Sequence, residues 1–157
     1  MRIAVIAVGK ARPGAMRTLA EDYAKRLSQI SGAWRLALVE VEAPAKLPVA
    51  DRMRRESDLL AARVPAGAVL VALDGGGKGL SSEDFAARLG AWRDQGRDVA
   101  FVIGGADGLA RDLVRRADLT LSLGAMTWPH MLARAMLLEQ LYRASAILAG
   151  HPYHRGE

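Results

Sequence analysis

Five short runs of apolar and β-branched residues recur along the chain, at 2–9 (RIAVIAVG), 34–41 (WRLALVEV), 68–75 (AVLVALDG), 98–105 (DVAFVIGG) and 119–124 (LTLSLG). The first, third and fourth are almost unbroken, which marks strands buried on both faces, as in a parallel sheet covered by helices. The second alternates more and fits a place nearer an edge. The intervals carry helical periodicity. Residues 14–29 place Met16, Leu19, Ala20, Tyr23 and Leu27 at helical spacing, and 48–63 place Val49, Met53, Leu59 and Leu60 opposite a face of arginines. Residues 81–95 open on SSED, where Ser81 or Ser82 can cap and the acids suit the positive end of the helix dipole. A short helix is predicted over 109–116 and a long one over 129–149, the latter with Thr127 as candidate cap and Pro129 in its first turn. Residues 42–50 read as a loop. Strictly alternating strands and helices predict an α/β fold, a mainly parallel sheet flanked by helices, as a single domain over 1–157.

Composition changes this picture little. The 157 residues are 51% hydrophobic and 25% charged, as in ordinary globular chains. No apolar run reaches the length of a membrane span, and the N-terminal run lacks the features of a secretory signal. The absence of cysteine excludes disulfides and thiolate metal sites. A cytoplasmic protein is the expectation. The net charge of +5 comes from 22 basic and 17 acidic residues, and all the basic residues but Lys10, Lys25, Lys46 and Lys78 are arginine. Arginine grips phosphate bidentately and stacks on bases, so the balance is compatible with a nucleic-acid partner without requiring one.

Ligands of open α/β sheets bind at the carboxyl ends of strands. Three such ends stand out: LDGGGKGLSS after the third strand, IGGADGL after the fourth and SLGAMTWPH after the fifth. The common phosphate motifs fail. Position 72 is alanine and Gly79 follows Lys78, which excludes a Walker A loop, and VGKARPG after the first strand is no dinucleotide fingerprint. Each glycine cluster alone reads as a tight turn; three at one sheet edge point to a site. The last loop carries Met126 and Trp128, either as a staple for the long helix or as an apolar cradle for a flat group such as adenine. The chain's final residues, GHPYHRGE, concentrate His151, Tyr153, His154 and Arg155.

The combination of IGGADGL, MTWPHMLARAMLLEQLYRA and HPYHR resembles the ribosomal RNA large subunit methyltransferase H family, small members of the SPOUT methyltransferases. The likeness runs the length of the chain and is most specific in its last third. It implies a SPOUT-type fold with a C-terminal trefoil knot, a rare exception to the rule that connections do not thread. It implies S-adenosyl-L-methionine as methyl donor and no metal. By this resemblance the cofactor contacts fall on Leu73, Gly104, Gly105, Leu123, Gly124, Ala125, Met126, Thr127 and Trp128. It further implies a homodimer with the long C-terminal helix in the interface and the partner completing the site. The implied substrate is 23S rRNA in the assembled ribosome, methylated at N3 of a pseudouridine in helix 69. Ala106-Asp107 stands where some relatives have Pro-Glu, and Gly75 to Gly77 stand where others have bulkier residues.

On this reading the tail supplies the substrate side. Tyr153 offers a stacking face, Arg155 or Arg143 stabilises charge on the carbonyl oxygens flanking N3, and His154 is the candidate base for the N3 proton. The alternative is that solvent takes that proton. Plainer readings apply elsewhere: a structural His130, an i,i+4 ion pair between Glu139 and Arg143, Asp74 as a turn former, and arginines 52, 54 and 55 as a solvated helix face or RNA contacts. His151 and His154 lack a third ligand for zinc. Rival functions are a SPOUT methyltransferase for another rRNA or tRNA site, a non-catalytic ribosome-binding module, and a mononucleotide-binding protein.

Overall fold

The computed structural model describes residues 1–30 and 34–155, with backbone alone for His154 and Arg155. Five strands, β1 (Arg2–Val8), β2 (Arg35–Val41), β3 (Val69–Gly79), β4 (Val99–Ile103) and β5 (Leu119–Ser122), alternate with α1 (Ala15–Gln29), α2 (Val49–Ala61), α3 (Ser82–Asp94), α4 (Arg111–Arg116) and α5 (His130–Leu148). A 3-10 turn at Pro152–Arg155 follows. The strands form one wholly parallel sheet in the order β2-β1-β4-β3-β5. β2 lies at an edge, as its alternation predicts.

Alternation along β1 explains the layering. Ile3, Val5 and Ala7 point into one core with Val71, Phe101, Phe85 and Leu138, while Ala4, Ile6 and Val8 point into another with Leu60, Val102 and Leu113. Helices α1, α3 and α5 cover the first face, with α5 packed on both of the others, and α2 and α4 cover the second. Ser81 caps α3 by accepting the Asp84 N–H at 3.0 Å. The start of α5 differs from expectation. Pro129 is its N-cap, and no side chain accepts there, so Thr127 lies outside the helix in the preceding loop.

The expected DGGGKG loop is also corrected, because most of it belongs to β3. Leu73 pairs with Leu121, residues 74–77 bulge outward, and Lys78 pairs with Leu121 again before Gly79 meets Ser122. Asp74 turns the bulge by accepting the Gly76 N–H at 2.9 Å. At Gly77 an added Cβ would lie 2.6 Å from the Thr120 carbonyl oxygen. Glycine there admits the neighbouring strand rather than a ligand.

Candidate active site

The carboxyl ends of β3, β4 and β5 enclose a cleft of about 300 Å³. Its floor is Leu73, Ile103 and Leu121, and its rim is the loops at 104–108 and 123–128. All nine residues expected to hold a cofactor line it: Leu73, Gly104, Gly105, Leu123, Gly124, Ala125, Met126, Thr127 and Trp128. Asp74, Gly75, Ala106, Gly108, His130 and Ala133 complete the lining. Parallel strands end together at this edge, and each feeds its loop into the same space.

Local chemistry fixes the loops. Gly108 donates its N–H to Gly105 at 3.1 Å and has φ +81°, which closes the 104–108 turn. A Cβ on Gly104 would meet the Gly108 carbonyl at 2.5 Å, so this turn can fold back on itself only because residue 104 is glycine. In the other loop Gly124 has φ +116°. Ser122 Oγ accepts the Gly124 N–H at 3.1 Å, and Trp128 Nε1 donates to the Leu123 carbonyl at 3.3 Å. Met126 is 74% exposed and Trp128 is 39% exposed. Large apolar side chains left in water beside a cleft are surface for a ligand rather than for the core. The lining suits a nucleoside-like group: apolar walls, exposed sulfur and indole, and loop backbone close enough to offer amides.

One end of the cleft rests on a buried network absent from the sequence reading. Arg134, 5% exposed, donates to Glu40 at 2.5 Å and to the Gly9 and Val8 carbonyls at 2.9 and 3.4 Å. Glu40 also accepts the Ala11 N–H at 2.9 Å. Burial opposes ionisation of Glu40, but the Ala11 amide and the Arg134 guanidinium outweigh it and hold its carboxyl below the usual range. His130 stands one turn before Arg134, with Nε2 3.4 Å from where a Cβ on Gly9 would lie. Burial, with Arg134 adding its charge, keeps the imidazole below its ordinary pKa and therefore neutral at pH 7. The signal for this network was an arginine four residues from a histidine in the otherwise apolar first half of α5.

The residues expected on the substrate side lie elsewhere. Arg143 pairs with Glu139 at 2.6 and 2.9 Å, the predicted i,i+4 ion pair, and its guanidinium sits 4.9 Å from the Tyr153 ring centroid. Tyr153 packs on Tyr142 at 4.5 Å between centroids and donates its hydroxyl to Glu139 at 3.3 Å. Burial, then Tyr23 and the Glu139 carboxylate, push the Tyr153 hydroxyl far above its usual range, so it stays protonated. The side chains of His154 and Arg155 lie outside the described residues. From His130 to Arg143 the helix rises roughly 20 Å at about 1.5 Å per residue. Within one chain, the cleft thus adjoins the start of α5, while the tail cluster lies beside its middle and second half, against Glu139, Tyr142 and Arg143.

Between them runs an apolar groove of about 550 Å³, bounded by Leu19 and Tyr23 of α1, Phe85 of α3 and Met136, Glu139 and Gln140 of α5. It meets the cleft at Leu121, Leu123 and Gly124. Met16 and Leu19, two of the helically spaced apolar positions of α1, are each 42% exposed. On the other sheet face, Arg54 and Arg55 are exposed as expected, but Arg52 is not a free solvated cation: it pairs with Asp107 of the 104–108 loop at 2.5 Å. Among the described residues no three His, Asp or Glu side chains group as metal ligands, and no helix is long and apolar enough to cross a membrane.

Residues 1–154 match the family model described as predicted SPOUT methyltransferase. Proteins named ribosomal RNA large subunit methyltransferase H are similar over their full length. That of Rhodospirillum centenum is 60% identical over 156 residues, and one from Cereibacter sphaeroides is 53% identical over 159, each alignment covering 99% of both chains. Among solved structures, a methylase family protein from Neisseria gonorrhoeae shares the fold, with a TM-score of 0.52 at 15% identity over 90% of this chain and 81% of that one.

Proposed function

This chain belongs to the SPOUT methyltransferase family, and from that premise we propose that it transfers a methyl group from S-adenosyl-L-methionine to N3 of a pseudouridine in helix 69 of 23S rRNA, on the assembled ribosome in the cytoplasm. The observation that carries the reading is the convergence of all nine expected cofactor residues on one cleft at the carboxyl edge of a parallel sheet. Bound there, the cofactor supplies an electrophilic methyl carbon on sulfur. Met126 and Trp128 give the cleft its apolar faces, and the loops at 104–108 and 123–128 hold the ligand by backbone. The whole chain acts as one domain, and threading of the 123–128 loop and α5 into a trefoil knot is part of the same reading.

The separation of cleft and tail along α5 favours a homodimer. A twofold axis through the middle of α5, with the groove beside it filled by the second copy, brings the partner subunit's tail to this cleft. Each site then combines one subunit's cofactor residues with its partner's tail. Methylation at N3 requires the nitrogen to be aligned with the methyl carbon and its proton to leave. His154 takes the proton, since an imidazole titrates near the working pH. Tyr153 does not, because its hydroxyl stays protonated; its ring stacks on the base. Glu139 holds Arg143 against that ring, and Arg143 with Arg155 meets charge developing on the flanking carbonyl oxygens.

Transfer of labelled methyl from S-adenosyl-L-methionine to ribosomes lacking the modification tests the proposal. Incorporation is expected only in particles that contain the helix 69 pseudouridine, and not in free rRNA. Cofactor binding without incorporation moves the target to another rRNA or tRNA site. No cofactor binding refutes the cleft assignment and favours a ribosome-binding module. His154→Ala should abolish turnover with cofactor affinity unchanged; undiminished turnover leaves the proton to solvent.

A further inference from the structure

Helix α2 presents three polar side chains to the underside of the 104–110 loop. Arg52 donates to Asp107 at 2.5 Å, and Ser57 Oγ accepts the Ala110 N–H at 2.8 Å. Between them lies Glu56, only 7% exposed, whose Oε2 is buried without a hydrogen-bond partner. A Cβ on Gly105 would lie 3.0 Å from that oxygen and 3.0 Å from Val8 Cγ1. Gly105 lines the cleft on its other side. One glycine backbone is therefore all that separates an orphan carboxyl from the ligand space.

The charges here do not balance. Two carboxyls, Glu56 and Asp107, face one guanidinium, and Arg52 is engaged with Asp107. β1 contributes the apolar Val8, the loop contributes Asp107, and across Gly105 the cleft holds Asp74 and His130. Burial raises the Glu56 carboxyl above its usual range; Arg52 opposes that and Asp107 reinforces it. A buried carboxylate without a counter-ion is unfavourable, and such groups are kept neutral until a positive charge arrives.

Resting on the reading of the cleft as a cofactor site, we propose that Glu56 is the counter-charge for a cationic ligand, and that it distinguishes the sulfonium methyl donor from its thioether product. The two ligands differ by one methyl and one positive charge. A methyl group alone gives weak discrimination, whereas charge acting through protein of low dielectric reaches a carboxylate it does not touch. Spent cofactor then leaves a site whose buried carboxylate has lost its compensation.

The test is calorimetric titration of the full chain with S-adenosylmethionine and, separately, S-adenosylhomocysteine, in buffers of differing ionisation enthalpy. It runs between about pH 4.5 and 6.5, below the range where α-amino groups titrate. Donor binding should release more protons than product binding, and the preference for donor should rise with pH. In Glu56→Gln that pH dependence should vanish, with the preference at the upper pH falling about tenfold, the scale of unit charges roughly 10 Å apart at an effective dielectric near 20. Asp107→Asn, which frees Arg52 to compensate Glu56, should shrink the proton difference. Equal proton release for both ligands in the unmodified chain overturns the proposal whether or not the variants fold. So does a pH dependence of the preference that survives Glu56→Gln, or a proton difference unchanged in Asp107→Asn. Failure of either ligand to bind the unmodified chain overturns the cofactor reading itself, and the proposal with it.

Discussion

Replacing Gly77 by alanine puts the reassignment of the glycine-rich segment to a direct trial. The added Cβ would stand 2.6 Å from the Thr120 oxygen, 2.7 Å from its carbonyl carbon and 2.9 Å from the Leu121 carbon, where ordinary contact begins near 3.4 Å. All three atoms are backbone of a paired strand, so no rotamer relieves the clash. β5 must move outward by about 0.8 Å. Overpacking of this kind costs about 1–3 kcal/mol, against which alanine recovers about 0.4–1 kcal/mol by restricting the unfolded chain. With three rigid contacts we expect the upper range, a net loss of about 2 kcal/mol and a fall in Tm of about 4–8 °C. Gly79, two residues on in the same strand, is the control: nothing lies within 4 Å of its added Cβ. Gly79→Ala should be neutral or raise Tm by about 1–3 °C. Thermal melts followed by circular dichroism, paired with urea midpoints, read both variants. If Gly77→Ala melts alongside Gly79→Ala, the segment is a loop with room to give, and the strand assignment is wrong.

Four other outcomes follow from the structure. Arg134→Met leaves the Glu40 carboxylate and two backbone carbonyls without their donor, and should lower stability by about 3 kcal/mol in urea melts. Glu40 and Asp98 have folded-state pKa values below their unfolded ones, Asp98 because of the Arg2 backbone N–H and side chain, so their stabilisation is present above the ordinary carboxylate range and is lost as pH falls through the lowered values. Glu56 has the opposite sign: its raised carboxyl costs stability as pH rises through and above its unfolded pKa, so unliganded Glu56→Gln should be more stable than the unmodified protein at pH 7 and match it near pH 4. Melts across pH read both effects. Trp128→Ala should weaken cofactor binding about tenfold in calorimetry with little change in Tm, because the ring is part exposed and outside both cores.

Periodicity made the order of elements legible because strands covered on both faces leave unbroken apolar runs, and every predicted strand and helix is present within a few residues. Glycine misled where its local meaning and its tertiary meaning diverge. DGGGKG reads as a turn because glycine favours turns, yet Gly77 serves a neighbouring strand that no local pattern announces. Thr127 reads as a cap by type, but Pro129 takes that position. The cleft residues were legible through their resemblance to a known family, and parallel topology explains their convergence. The Glu56, Arg52 and Asp107 cluster was invisible because it joins residues about fifty apart in sequence through the packing of α2 under a loop. The distance between cleft and tail was equally hidden: both motifs flank one helix, and only the folded chain shows the cleft at its start and the tail packed back against Glu139, Tyr142 and Arg143.

The order of strands in the sheet also bears on how the chain is made. β4 is the fourth strand to leave the ribosome, yet it sits between the first and the third. β1 and β2 can pair early, but β1 keeps one unpaired edge and β3 has no partner until residues 99–103 emerge. A nascent chain stopped before β4 therefore presents three strand edges that the finished sheet covers, one on β1 and two on β3, with apolar side chains on both faces, a condition prone to aggregation. Vectorial synthesis thus fills the centre of this sheet with its fourth strand before the fifth closes the free edge of β3.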